Sequence, residues 1–238
     1  MTDALADRVI AVAGAAGSLG PTVVRRLVSA GARVCACGRD RASLEALAAE
    51  AGAEIEIDID VVDLLDTGAT RAWADDLAAR HGRVDGLVHL VGGWRGGSPI
   101  EEAPLGDWDF LEPLLVRTVL HATQAFAPRL LDSGHGRVVI ISTGLAQAPT
   151  HKNAVYAAGK AAAETWTLAL ADRFRGSGAT ANIVVVGAIV TQAMREESPD
   201  KDFSTFTPAE DIADAITYLC SDAAATMNGQ RLTLRGGA

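Results

Sequence analysis

The sequence is poor in cysteine: of 238 residues, only Cys35, Cys37 and Cys220 carry thiols. Three cysteines cannot build a disulfide framework, and without one the expected compartment is a reducing cytoplasm. Cys35 and Cys37 alternate along an apolar run, so they share one face of a strand. With no second ligand pair they read as buried free thiols, and no metal is expected. Long apolar runs are also missing. No segment reaches the roughly 18 to 20 uninterrupted apolar residues that a membrane helix needs. Residues 1–7 are short and polar, and glycines follow the first apolar run almost at once, so neither a membrane partner nor a leader is expected. Basic clusters are lacking as well. Lys and Arg total 21 against 30 Asp and Glu, a net charge of −9, and nothing in that pattern would neutralise a series of phosphates, so nucleic acid is excluded as a main partner. Repeats and low-complexity tracts are absent, and residues 92–97 and 192–207 are too short to separate domains. One domain over residues 1–238 is expected.

What the chain has in quantity is alternation. Short, nearly continuous runs of Val, Ile and Leu at residues 8–13, 33–37, 55–64, 86–91, 137–142, 182–187 and 231–234 read as strands buried on both faces. Between them, residues 19–30, 41–51, 67–81, 108–131, 156–175 and 208–221 repeat apolar residues at three- and four-residue spacing, as in Leu44, Leu47 and Ala48. Glycines such as Gly31, Gly52, Gly82 and Gly176 follow helix ends. Repeated strand–helix–strand units imply right-handed crossovers, and so an α/β fold: a doubly wound, parallel, seven-stranded sheet of Rossmann type with helices on both faces. Loops 92–97 and 192–207 then fall at its carboxyl edge, where ligands bind.

The first strand runs straight into Gly14-Ala15-Ala16-Gly17-Ser18-Leu19-Gly20 and a helix. Glycine lets the backbone approach a pyrophosphate, and the helix N-terminus offers free N–H groups and a favourable dipole. A glycine cluster alone is weak; its place between the first strand and the first helix gives it meaning. The second strand ends in Cys37-Gly38-Arg39-Asp40. An acid at this end would bind a ribose 2′-hydroxyl, whereas Gly38 leaves room and Arg39 offers a planar, permanently charged fork for a 2′-phosphate. NADP(H) is therefore favoured over NAD(H), although Asp40 could pair with Arg39 or reach the ribose. Asp63 and Leu64, after the third strand, are placed at the adenine, with Asp58 and Asp60 as competing candidates.

Tyr156-Ala157-Ala158-Gly159-Lys160 puts tyrosine and lysine four residues apart on one helix face. A free tyrosine titrates near ~10 and is a poor acid or base at neutral pH; a neighbouring ammonium is expected to lower that value. The helix follows an apolar strand ending in Ile141-Ser142-Thr143. With these residues the sequence resembles the short-chain dehydrogenase/reductase family over essentially its whole length. The Tyr-x-x-x-Lys motif, the glycine turn, the Gly187-x-x-x-Thr191 segment and the C-terminal Asn228-Gly229-Gln230 … Gly236-Gly237 pattern occur in the family's order. The resemblance implies that Tyr156 is the acid/base and that Lys160 holds the nicotinamide ribose. Thr143, thirteen residues before Tyr156, stands where the family has a substrate-orienting serine; adjacent Ser142 should point to the opposite face. Val190 and Thr191 would meet the carboxamide or phosphate end of the cofactor.

Several positions depart from the family pattern. Ser18 replaces the second glycine of the turn, with Gly17 one step earlier. The asparagine-rich segment after the fourth strand reads His89-Leu90-Val91-Gly92-Gly93, of which Val91 and Gly92 are counted as cofactor contacts. The asparagine of the family's proton relay is replaced by Leu115, and the proline before Gly187 by Val186. His89 is expected to be a structural histidine, and His151 lies on a loop near the site. Trp94, Leu145 and His151, with Leu90, Ala146 and the 192–207 segment, are the candidate walls of an apolar substrate pocket. Together these imply an enzyme that reduces a carbonyl, or oxidises a secondary alcohol, by hydride transfer. Two alternatives stand: a nucleotide-binding regulatory protein with weakened turnover, which Leu115 supports, or an isomerase or dehydratase using the same tyrosine. A homodimer or homotetramer built on helices 108–131 and 156–175 follows from the resemblance.

Overall fold

The computed structural model describes residues 4–50 and 57–236. In chain order the elements are β1 (Val9–Ala13), α1 (Gly20–Ser29), β2 (Arg33–Gly38), α2 (Arg41–Glu50), β3 (Asp58–Val61), α3 (Thr67–His81) and β4 (Gly86–His89). There follow α4 (Gly106–Glu112), α5 (Thr118–Asp132), β5 (Arg137–Thr143), α6 (Ala154–Arg173) and β6 (Thr180–Val186). The chain closes with β7 (Ile189–Val190), α7 (Gln192–Glu197), β8 (Thr207–Pro208), α8 (Ala209–Cys220) and β9 (Arg231–Thr233). Seven strands form one sheet in the order β3-β2-β1-β4-β5-β6-β9, every neighbouring pair parallel. This is the expected doubly wound Rossmann-type sheet. Among the described residues no helix is long and apolar enough to cross a membrane.

The uninterrupted apolar strands need cover on both faces. Val12, Val88, Val139 and Val184 pack with Val23 and Leu27 of α1 and Ile212 and Ile216 of α8. Ala11, Leu87, Ile140 and Ile183 pack on the other face with Trp73 and Leu77 of α3, Phe126 of α5 and Ala163 of α6. Because the order reverses beside β1, the chain leaves β1 and β4 in opposite lateral directions and opens a crevice at their carboxyl ends. The glycine turn and the residues after His89 both lie there.

Element edges differ from expectation where side chains intervene. The expected third strand began at residue 55, which lies outside the described residues, and ran to 64; β3 stops at Val61. There the Asp63 carboxylate accepts the Leu65 N–H at 3.0 Å and the Asp63 carbonyl accepts the Asp66 N–H, turning the chain into α3, whose first N–H groups the Asp66 side chain caps. The helix expected over 108–131 begins at Gly106 and contains a π-turn over Pro113–Arg117, closed by the Thr118 N–H on the Pro113 carbonyl. Pro113 has no N–H to continue the regular ladder, and such one-turn bulges gather at functional sites. The segment read as a loop over 192–207 carries α7 and is bracketed by the short parallel pair β7–β8. Gly52 and Gly237 lie outside the described residues.

Candidate active site

The crevice is floored by the glycine turn. The N–H groups of Gly14 and Ala15 both bond the Cys37 carbonyl at 3.0 Å, fixing the turn to the end of β2. Gly14 has φ 79°, and a Cβ there would lie 2.9 Å from the Val91 nitrogen. A Cβ on Gly20 would lie 1.8 Å from the Ala15 carbonyl oxygen, so only glycine brings the start of α1 so close to the turn. Ser18 is exposed and outside the left-handed region, so serine fits this bend without strain. No side chain caps α1, and Pro21 occupies its first turn. The result is a glycine-walled floor facing an open helix N-terminus, which suits a phosphate.

At the end of β2 the Asp40 side chain is engaged by its own helix. Its Oδ1 accepts the Ser43 N–H at 2.8 Å and the Ser43 hydroxyl at 2.6 Å, and these bonds hold its carboxyl below the usual range. Asp40 thus caps α2. Arg39 is exposed and has no ion-pair partner among the described residues. Asp58 and Asp60 are also engaged elsewhere. Asp60 accepts from Trp73 Nε1 at 3.0 Å and Arg80 Nη2 at 2.9 Å, and Asp58 lies 2.6 Å from His81 Nε2. Cys35, Asp58 and His81 bring their ligand-type atoms within 4.8 Å of one another, but the Arg80 guanidinium, 3.6 Å from Asp58 Oδ2, already gives that carboxylate a cation. Asp63 stays at the crevice edge, next to buried Leu64; the Val62 N–H bonds the Gly38 carbonyl and brings this turn beside β2.

The opposite wall is α6. Lys160, only 8% exposed, donates from Nζ to the Ile141 carbonyl at 2.8 Å, and its ammonium lies 6.0 Å from the Tyr156 ring centroid. Burial pulls Lys160 down to about 8, with Glu164 opposing. The expected lowering of Tyr156 is not found. Burial pushes its phenol above the ordinary value, while the ammonium bonds the Ile141 carbonyl of β5. Thr143 is buried at the end of β5, and its Oγ1 accepts the Leu145 N–H at 3.4 Å. Among the described residues no hydrogen bond joins it to Tyr156. The Ser142 hydroxyl is buried without a partner, on the other side of the strand from Thr143.

Leu115 sits within the π-turn at 1% exposure. A Cβ on Gly159 would lie 3.1 Å from its Cδ1, and one on Gly92 would lie 3.9 Å from both Leu115 Cδ2 and Lys160 Nζ. Gly159 therefore makes room for the leucine, and Gly92 lies near both the leucine and the lysine. Sequence reading missed this partnership of Gly159 with Leu115, and its only local signal was the proline inside a helical run. His89 Nε2 lies 3.1 Å from Thr118 Oγ1, whose own proton goes to the Leu114 carbonyl at 2.7 Å. The threonine oxygen must then accept, so His89 is the neutral Nε2–H tautomer. Burial first, then the Lys160 charge, pushes it down to about 3.

The remaining expected residues are dispersed. Thr191 Oγ1 accepts the Met194 N–H at 3.2 Å and caps α7, beside buried Val190. Leu145 and His151 line one apolar hollow of about 360 Å³ with Ile100, Pro149, Ala154 and Ala158. Neither Tyr156 nor Lys160 lines it, although its α6 residues Ala157 and Ala161 adjoin them in sequence. Trp94 is outside it, 61% exposed. Asn228 ties the C-terminal pattern down: its Oδ1 accepts the Ala181 N–H at 3.0 Å and its Nδ2 donates to the Ala171 carbonyl at 2.7 Å.

Comparison with known proteins bears on this architecture. The family model described as short chain dehydrogenase matches residues 8–202. A D-threitol dehydrogenase of Mycolicibacterium smegmatis is 30% identical over 243 aligned residues, spanning 98% of this chain and 93% of that protein. A 3-oxoacyl-[acyl-carrier-protein] reductase of Thermotoga maritima is 27% identical, spanning 98% of both. The solved structure of a short chain dehydrogenase from Shigella flexneri complexed with NADP superposes with a TM-score of 0.88 at 25% identity, covering 98% of this chain and 99% of that one. With its family model matched over most of its length and its sheet order and glycine turn in place, the chain belongs to the short-chain dehydrogenase family of oxidoreductases.

Proposed function

We propose that this dehydrogenase is an NADPH-dependent carbonyl reductase, with Tyr156 as proton donor, Lys160 as its electrostatic partner and Thr143 as the group that orients the carbonyl. The observation that carries this reading is the buried Lys160 ammonium. It is anchored to the Ile141 carbonyl at 2.8 Å, two residues before Thr143 and one helical turn after Tyr156. A dinucleotide fits the residues present: the Gly14 turn leaves no room for a side chain, the α1 N-terminus is uncapped, and Arg39 is exposed with no ion-pair partner among the described residues. When bound, the nicotinamide supplies the hydride.

The chain's own residues then divide the work. Ser18, Leu19 and Gly20 would hold the diphosphate, with Val91 packed against Gly14 and Gly92 next to it. Arg39 would hold the 2′-phosphate, and Asp40 Oδ1 is engaged by Ser43. Asp63 and Leu64 flank the adenine, and Val190 and Thr191 the carboxamide. Of the three N–H donors of Lys160 one is used by Ile141, leaving two for the ribose. Thr143 Oγ1 donates to the carbonyl oxygen, and Tyr156 Oη passes its proton to that oxygen as charge develops. A positioned acid of this kind is worth ~10² to 10⁴-fold. The substrate is a small molecule with apolar surface, met by Leu145, Trp94 and His151 at the rim. The exposed small residues Ala158, Ala162 and Ala169 on α6 support a homodimer or homotetramer, and the three buried thiols support a cytoplasmic setting.

Screening carbonyl compounds with NADPH, wild type against Tyr156→Phe, tests the mechanism. Turnover should fall at least a hundredfold; turnover that survives unchanged sinks the assignment. Leu115 favours a second reading, a nucleotide-binding protein of slow turnover, because a leucine beside Lys160 holds no water. Tight NADPH binding with no turnover on any carbonyl would select it.

A further inference from the structure

Glu164 is 1% exposed on α6, four residues after Lys160. Its Oε2 accepts Arg231 Nε of β9 at 2.6 Å, while its Oε1 is buried with no hydrogen-bond partner among the described residues. A buried carboxylate satisfied on one oxygen is costly, and an apolar side chain of similar volume would pack there more cheaply. Packing alone therefore does not account for it. Lys160 is also enclosed. Its own helix brings Tyr156 and Glu164, and β5 brings the Ile141 carbonyl but no charge. The π-turn brings apolar Leu115, β4 brings neutral His89, and β9 adds Arg231 through Glu164.

We propose that Glu164, fixed by Arg231, is a positioning residue that steadies the Lys160 ammonium from one helical turn away, making the last strand part of the catalytic apparatus. The inference rests on the reading of Lys160 given under Proposed function. Glu164 is the group that opposes the effect of burial on Lys160. A negative charge favours the ammonium, so its removal moves the lysine's titration downward. Arg231 acts in the opposite sense through Glu164: it fixes the carboxylate but also draws on its charge. Loss of the arginine alone should therefore not lower the lysine.

The chain has only three lysines, Lys152, Lys160 and Lys201, so NMR titration of the full-length protein labelled at lysine Cε reads Lys160 directly, without substrate. Comparison with Lys160→Met assigns the signal. In Glu164→Gln the Lys160 midpoint is expected to fall by about one unit or more, a tenfold loss of proton affinity, with Lys152 and Lys201 unmoved. Glu164→Asp, which keeps the charge, should stay within about 0.3 units of wild type, and Arg231→Gln should stay or rise. An unmoved midpoint in Glu164→Gln overturns the proposal. So does an equal fall in Arg231→Gln, the mark of a pair that serves only packing. Should Glu164→Gln fail to fold, the Arg231→Gln midpoint decides. The midpoint and the Tyr156→Phe turnover are separate readouts, so failure of one inference is visible apart from the other.

Discussion

Replacing Leu115 and Gly159, singly and together, probes the packing on which the Lys160 environment depends. A Cβ at position 159 would meet Leu115 Cδ1 at 3.1 Å, Cβ at 3.5 Å and Cγ at 3.8 Å. Leu115→Ala deletes a buried group facing two glycines that have no side chain to fill the space, so its cost belongs in the upper part of the ~2–5 kcal/mol range for such changes. Gly159→Ala alone gains up to ~1 kcal/mol of helix propensity, against ~1–3 kcal/mol of overpacking as the leucine gives way. The net is a loss of about 1 kcal/mol. Once Leu115 is alanine, the strain is gone, and the added methyl gains its propensity plus ~0.8 kcal/mol of burial. The same substitution changes sign, and the coupling is about 2–3 kcal/mol. Urea unfolding of the four proteins measures it from the midpoints at constant slope. Additivity within ~0.5 kcal/mol would refute the contact between the π-turn and α6.

Three further outcomes follow from the same geometry. Arg39→Ala should weaken NADPH binding at least about tenfold, as expected for a lost charge-assisted bond, and leave NADH within about twofold; equal losses measured by fluorescence titration would remove Arg39 from the 2′-phosphate. Gly20→Ala places a Cβ where the Ala15 carbonyl now lies, 1.8 Å away, so the turn cannot close. Cofactor affinity should drop more than about a hundredfold, and retained binding in the same titration would contradict the turn geometry. Lys160, at about 8 when folded against ~10.4 when unfolded, releases its proton first in the native state. Between those values the unfolded chain binds more protons, so this group's contribution to stability rises with pH through that window and is smallest below about 8. Denaturation from pH 7 to 10 should show this upward component in wild type and lose it in Lys160→Met, while turnover, which needs the ammonium, falls above about 8. An identical pH dependence of stability in the two proteins would contradict the burial of Lys160.

The sequence by itself determined the sheet, because continuous apolar runs and three-to-four spacing act within single elements, whatever lies beyond them. It also determined the glycine turn and the Tyr156–Lys160 pair, since both are fixed by separations of a few residues along one turn or one helix. Tertiary structure decided whatever depends on a partner far along the chain. Asp40 could have reached a ribose, and only the placement of Ser43 at the start of α2 makes it a helix cap. Asp58 and Asp60 were equal to Asp63 until α3 supplied Trp73, Arg80 and His81. The Tyr156 phenol, expected to be lowered by its lysine, is raised instead by burial, which is a property of the packed structure. Leu115 with Gly159 and Glu164 with Arg231 leave no pattern in the sequence. Their chemistry exists only once the π-turn, α6 and β9 are packed side by side, where a missing methyl or a buried carboxylate acquires its neighbour.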